Sequence, residues 1–238
     1  MARLPRLTVP GLPHHLIQRG NNQQSIFLDD QDYAAMHALL ALQAREAQVA
    51  VHAYVLLDSE LQLLATPASA EALSRFMQAV GRRYVRQFNQ RHGRSGTLWE
   101  GRYRCAVLQA ETWLMPCMSR FDLLPVQAGR ADSPAAWVWS SHRHYAGAQA
   151  DQLVSPHSLY WSLGDTPFAR EQAYARQVEA GLTAAQQAAL VDAALHGWAL
   201  GDGTFLANLQ KQTERRITRG KPGRPRKGAT AVQSVPNK

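Results

Sequence analysis

Residues 49–65 read Val49-Ala50-Val51-His52-Ala53-Tyr54-Val55-Leu56-Leu57, then Asp58-Ser59, then Glu60-Leu61-Gln62-Leu63-Leu64-Ala65. Two strand-forming runs joined by a two-residue polar turn predict a β-hairpin. Glu60 and Gln62 are two positions apart, so they project from one face of the second strand.

The flanking sequence supplies the partners of this hairpin. On its N-terminal side, His14 to Arg19 follows Pro13 and stops at Gly20-Asn21-Asn22, a short strand ending in a turn signal. Asp29-Asp30 can cap a helix, and Tyr33, Met36, Leu39, Leu40 and Leu42 give it an apolar stripe as far as about Ala47. On the C-terminal side a second helix is predicted from about Ala70 to Arg91. Phe76, Val80, Tyr84 and Phe88 form its buried stripe, and Arg75, Arg82 and Arg86 lie roughly opposite, within about 40° of one another. Gly93 to Gly96 end that helix; 97–109 read as a further strand and 111–124 as a third helix. The class is α+β: a ferredoxin-like split β-α-β-β-α-β core with an antiparallel sheet, helices on one face and the other face open to a ligand.

Composition changes along the chain. The aromatic segment Trp137 to Tyr145 closes a core domain assigned to 1–148. Residues 149–211, rich in Ala and Gln, are assigned to a small C-terminal helical module, and 212–238 to a basic, disordered tail. The net charge of +8 sits at the C-terminal end: residues 1–210 hold seventeen arginines and seventeen acids, whereas 211–238 hold nine basic residues and Glu214. A sequence pI near 9.9 points to a polyanionic partner. There is no apolar run of the ~20 residues a membrane span needs, so no membrane partner is expected. Met-Ala-Arg-Leu-Pro-Arg lacks the apolar stretch of a secretory signal, and two cysteines, Cys105 and Cys117, argue against a disulfide framework; a cytoplasmic location is expected.

A local excess of positive charge is hidden inside the neutral part. Between Arg75 and Arg104 there are eight arginines against one acid, Glu100, interleaved with Tyr84, Phe88, Trp99 and Tyr103. Arginines that neutralise phosphates beside rings that stack on bases suit single-stranded or distorted nucleic acid. In the tail, Pro222-Gly223-Arg224-Pro225-Arg226-Lys227 is a slim Gly-Arg-Pro segment resembling an AT-hook, able to enter a narrow minor groove. The candidate DNA-binding residues are Arg19, Arg75, Arg82, Arg83, Arg86, Arg102, Arg104, Arg215, Arg216, Arg224, Arg226 and Lys227.

Several motifs recur in one order. Pro13-His14-His15-Leu16-Ile17-Gln18-Arg19-Gly20-Asn21-Asn22, the Val51 to Leu64 hairpin and Gly93-Arg94-Ser95-Gly96-Thr97-Leu98-Trp99-Glu100-Gly101-Arg102-Tyr103 resemble the REP-associated tyrosine transposases, relatives of the single-tyrosine insertion-sequence transposases of the HUH type. Pro125-Val126-Gln127-Ala128-Gly129, Trp139-Ser140-Ser141, Pro156-His157-Ser158-Leu159-Tyr160 and the final Gly-Arg-Pro-Arg-Lys extend the resemblance over nearly the whole chain. It implies a ferredoxin-like core that binds DNA hairpins and cuts single-stranded DNA beside them. Two histidines and an amide would hold a divalent metal such as Mg²⁺ or Mn²⁺ on the scissile phosphate, and a tyrosine would form a 5′-phosphotyrosine link.

This sequence departs from that pattern where the chemistry resides. Glu60 and Gln62 stand at the two metal-histidine positions, Arg120 at the nucleophile and Leu124 at the assisting amide. Carboxylate and amide oxygens suit Mg²⁺, yet arginine is no oxygen nucleophile, and nothing offers a base to activate Ser119. No intact catalytic residue, metal site or cofactor is therefore expected. His14-His15 is expected to be structural or DNA-adjacent, and His142-Arg143-His144 to replace aromatic positions. The reading is a DNA-binding protein of transposase type that recognises hairpin or single-stranded DNA and has lost strand cleavage. The alternative is an active metal-dependent transposase that cuts and rejoins DNA with substitute residues. Monomer and homodimer both remain open.

Overall fold

The computed structural model describes residues 6–219. Four strands, β1 (His14–Arg19), β2 (Val49–Leu57), β3 (Glu60–Pro67) and β4 (Arg104–Val107), form one antiparallel sheet in the order β2-β3-β1-β4. The helices are α1 (Asp30–Ala47), α2 (Ala72–Arg91), α3 (Ala110–Gln127), α4 (His142–Tyr145), α5 (Ser158–Trp161), α6 (Pro167–Ala180), α7 (Ala184–His196) and α8 (Gly203–Lys211). With α1 between β1 and β2 and α2 between β3 and β4, this is the expected split β-α-β-β-α-β arrangement.

Register decides which side chains meet. The hairpin pairs Leu57 with Glu60 and Val55 with Gln62, and β1 pairs Arg19 with Glu60 and Ile17 with Gln62. Directly paired residues share a face, so Arg19, Glu60 and Gln62 lie on one side of the sheet, toward α3. The opposite side receives α1 and α2. Asp29 caps α1, its carboxylate accepting the amides of Gln31 and Asp32. The α2 stripe Phe76, Val80, Tyr84 and Phe88 is buried as its spacing predicts, with Tyr84 donating its hydroxyl to the Ile26 carbonyl. Arg91 near the end of α2 pairs with Asp29 and Asp32.

Three expectations are corrected. The second sheet face is not open: α3 packs across β2 and β3, and α7 across β4 and β1. Apolar residues at both parities of β2 require this, because a strand with one wet face alternates. The strand expected over 97–109 shrinks to Arg104–Val107. Gly96 and Gly101 take positive φ and break the run, leaving Trp99 only an isolated bridge to Gly20. The tail does not lose order at 212: Ile217 is buried with Leu7, Val107, Ala199 and Leu209, and its carbonyl accepts the Ala199 amide at 2.8 Å.

Residues of both 1–148 and 149–211 build the main core; Leu16, Phe76, Phe121, Tyr145, Tyr174 and Leu190 belong to one buried cluster. Among the described residues no helix is long and apolar enough to cross a membrane.

Candidate nucleic-acid interface

Five polar side chains run in line on the α3 side of the sheet. Arg19 Nε donates to Glu60 Oε2 at 2.8 Å, and Gln62 Nε2 donates to Glu60 Oε1 at 2.6 Å. Gln62 Oε1 then accepts His15 Nε2 at 2.9 Å and Arg120 Nη1 at 3.5 Å. The cross-strand register places the first three, and α3 delivers Arg120 together with Phe121, whose ring packs on His15 with centroids 5.2 Å apart. Gln62 and His15 are fully buried, and Arg120 is 9% exposed. Burial holds His15 neutral, lowering its pKa to about 4, and pulls the Arg120 guanidinium below its ordinary value.

No protein-family model matches the chain, and no curated protein is similar to it in sequence. Among solved structures, one of a REP-associated tyrosine transposase bound to a REP hairpin aligns with a TM-score of 0.51 at 18% identity, covering 66% of this chain and 93% of that one. The chain has the fold of the REP-associated tyrosine transposases. A second structure, of a candidate transposase from Deinococcus radiodurans R1, is 20% identical and covers 54% of this chain and 98% of that one; its TM-score of 0.36 is too low to bear on the fold.

On this transposase fold the residues at the implied metal and nucleophile positions do come together, but they do not fit a metal. Both Glu60 oxygens and the Gln62 carbonyl oxygen are engaged by donors from within the chain, and two of those donors, Arg19 and Arg120, are themselves cations. A divalent ion would have to displace these donors and lie beside a guanidinium. Leu124 packs against the core and offers no ligand atom. Ser119 is buried, and its Oγ accepts Gln177 Nε2 at 3.0 Å, so it is no free nucleophile.

The candidate arginines fall into two groups. Arg19 is tied to Glu60; Arg104 donates to the Leu195 carbonyl at 3.0 Å and lies 3.8 Å from Glu100; Arg215 donates to the Gly197 carbonyl. Arg83 lies 3.9 Å from Glu46, a loose surface pair. Arg75, Arg82, Arg86, Arg102 and Arg216 are exposed, and among the described residues none has an acidic partner within ion-pair distance. Three of these five lie along α2. Arg224, Arg226 and Lys227, with the AT-hook-like segment, lie outside the described residues.

Of the four rings read as stacking platforms, Tyr84 and Phe88 are core residues and cannot reach a base. Trp99 and Tyr103 line a cleft beside α2. His14 is structural: its Nδ1 donates to the Leu12 carbonyl at 2.7 Å, and its Nε2 accepts the Val9 amide at 3.1 Å. His142 and His144 turn to different partners, the first to Asp122 at 2.8 Å and the second to the Asp151 amide at 3.1 Å. Sequence reading missed the role of His15 in the polar line, and its single signal was the pairing of β1 with the strand carrying Gln62.

Proposed function

We propose that this chain binds hairpin or single-stranded DNA without cutting it. The observation that carries the reading is the closed contact of Arg120 with Gln62. The side chain at the nucleophile position donates to the one at a metal-ligand position, so the site holds its own cation and presents no nucleophilic oxygen. The exposed arginines Arg75, Arg82 and Arg86 on α2 and Arg102 beside it, none with an acidic partner among the described residues, supply a phosphate-binding surface. The solved transposase of this fold is bound to a REP hairpin, which makes a hairpin with single-stranded flanks the appropriate probe.

The test incubates the full chain with a labelled hairpin carrying single-stranded flanks, with Mg²⁺ or Mn²⁺. A salt-sensitive shifted complex is expected, with no nick and no covalent adduct in denaturing gels. An adduct or nick overturns the loss of cleavage, and absence of any shift at low salt overturns DNA binding.

A further inference from the structure

A cleft of about 310 Å³ lies between α2 and the 99–103 loop, on the far side of the sheet from Arg120. That volume is at the lower end of the range in which proteins take small ligands. Its walls are mainly apolar, with Met77 and Val80 from α2, Leu61 from β3 and the rings of Trp99 and Tyr103, and Gln18, Ser74 and Gln78 add polar groups. Its rim is cationic, with Arg82 on one side and Arg102 on the other, both exposed and without an acidic partner among the described residues.

The walls are held in place before any ligand arrives. Gly81 sits in the interior of α2, where glycine is the least favourable residue apart from proline. A Cβ there would lie 3.4 Å from Trp99 Nε1, and that nitrogen donates to the Gly81 carbonyl at 3.3 Å. That is ordinary contact, so the indole would tolerate an alanine, whereas a longer side chain at 81 would extend into the cleft that Gly81 lines. Tyr103 is fixed from two sides, with the Arg6 guanidinium 3.8 Å over its ring and its hydroxyl 3.4 Å from Ser74 Oγ. Gln18 Nε2 donates to the Gly101 carbonyl at 3.0 Å and pins the loop.

A cleft lined mainly by apolar and aromatic side chains, with two exposed guanidinium groups among its lining, matches a flat apolar body carrying negative charge on both flanks. A base in single-stranded DNA has that form, with a phosphate before it and another after it. Gln18, Gly101 and Arg102 also border a smaller cavity of about 80 Å³, whose further lining pairs Arg19 and Arg104 with the acid Glu100. We infer that this cleft receives one unstacked base of a single-stranded segment, with its neighbouring phosphates on Arg82 and Arg102. The inference rests on the DNA binding proposed above.

The test places 2-aminopurine in turn at each position of the single-stranded flank of a labelled hairpin. One position is expected to change fluorescence on binding to the full chain, and an abasic nucleotide at that position should weaken binding about tenfold. Gly81→Leu, which fills the slot, should remove the signal and the abasic penalty together. Because the abasic arm uses the unaltered protein, a Gly81→Leu chain that fails to fold leaves the test intact. If the hairpin binds but no position responds and no abasic nucleotide costs affinity, the cleft inference falls and the DNA-binding proposal stands. If no DNA binds at all, both fall. If free mononucleotide displaces the 2-aminopurine signal as effectively as the strand does, the ligand is a nucleotide and the inference is overturned.

Discussion

The guanidinium of Arg120 faces the side-chain amide of Gln62 across the α3–β3 interface, with Nη1 3.5 Å from Oε1. No carboxylate of the described residues reaches Arg120 within ion-pair distance, and its Nε has no hydrogen-bond partner. A cation this buried is costly, and here it is supported by a neutral amide and by the field of Glu60 one link further on. The electrostatic centre of the site is thus already occupied by the chain itself.

Replacing Arg120 by an apolar residue of similar length should therefore cost little. Arg120→Met is expected to leave stability unchanged or to raise it, because the desolvation of the guanidinium disappears with its weak bonds. Gln62→Leu removes the acceptor of both Arg120 and His15 and a donor to Glu60, and should cost about 2–3 kcal/mol. Urea unfolding of the two variants decides the matter; a larger loss in Arg120→Met than in Gln62→Leu would show that Arg120 is a net stabiliser.

Three buried histidines predict the acid side of the stability curve. Burial lowers the pKa of His14, His15 and His52 to about 4 in the fold. The ring nitrogens of His14 and His52 are both taken, those of His52 by the Ser155 carbonyl and the Thr66 hydroxyl. The unfolded chain protonates them near pH 6.5, whereas the folded chain resists until about pH 4. Stability is therefore fully present above the unfolded value and falls as pH drops through that window, by up to about 3 kcal/mol for each group. Unfolding midpoints measured from pH 8 to 4 should show the drop, and His52→Gln should make it shallower. A flat profile between pH 7 and 4.5 would contradict the neutral, buried state of these rings.

Strand and helix periodicity made the four-stranded core legible from the sequence, because Val49–Leu57, Glu60–Ala65 and the Phe76-Val80-Tyr84-Phe88 stripe are local patterns. What covers the second sheet face was not legible, since α7 is distant in sequence from the strands it packs on. Family motifs marked Glu60, Gln62 and Arg120 as site positions, but their meeting depends on how α3 packs, and the engagement of Glu60 by Arg19 on a cross-strand register that no local pattern fixes. Sequence could not sort the arginines either. Arg104 and Arg82 look alike until the carbonyl of Leu195 is found beside the first.

That sorting predicts different consequences for equal substitutions. Arg82→Ala and Arg102→Ala should weaken DNA binding and each lower the slope of log K against log salt by about 1, with unfolding unchanged. Arg104→Ala and Arg215→Ala lose hydrogen bonds to the Leu195 and Gly197 carbonyls, and should lower stability by about 1 kcal/mol or more. Salt titrations of binding, run beside urea unfolding, separate the two classes. Equal salt slopes for Arg82→Ala and the unaltered chain would remove Arg82 from the interface.

One buried carboxylate ties α3 to both α4 and α6. Asp122 is fully buried and accepts His142 Nδ1 at 2.8 Å and the Tyr174 hydroxyl of α6 at 2.7 Å, both on the same oxygen. Burial raises the pKa of Asp122, against the pull of these two donors. A raised folded pKa means that the native state resists ionisation, so this group's contribution to stability is greatest at low pH and is lost as pH rises through the folded value. Tyr174→Phe removes one donor to the ionised form, which raises that pKa further and deepens the loss at neutral pH. The variant should therefore be destabilised by about 1–3 kcal/mol at pH 7, and by less as pH falls and the carboxyl takes up its proton. Urea unfolding of both chains over a series of pH values checks the sign. A loss that grows as pH falls would mean that Asp122 is held by groups other than Tyr174.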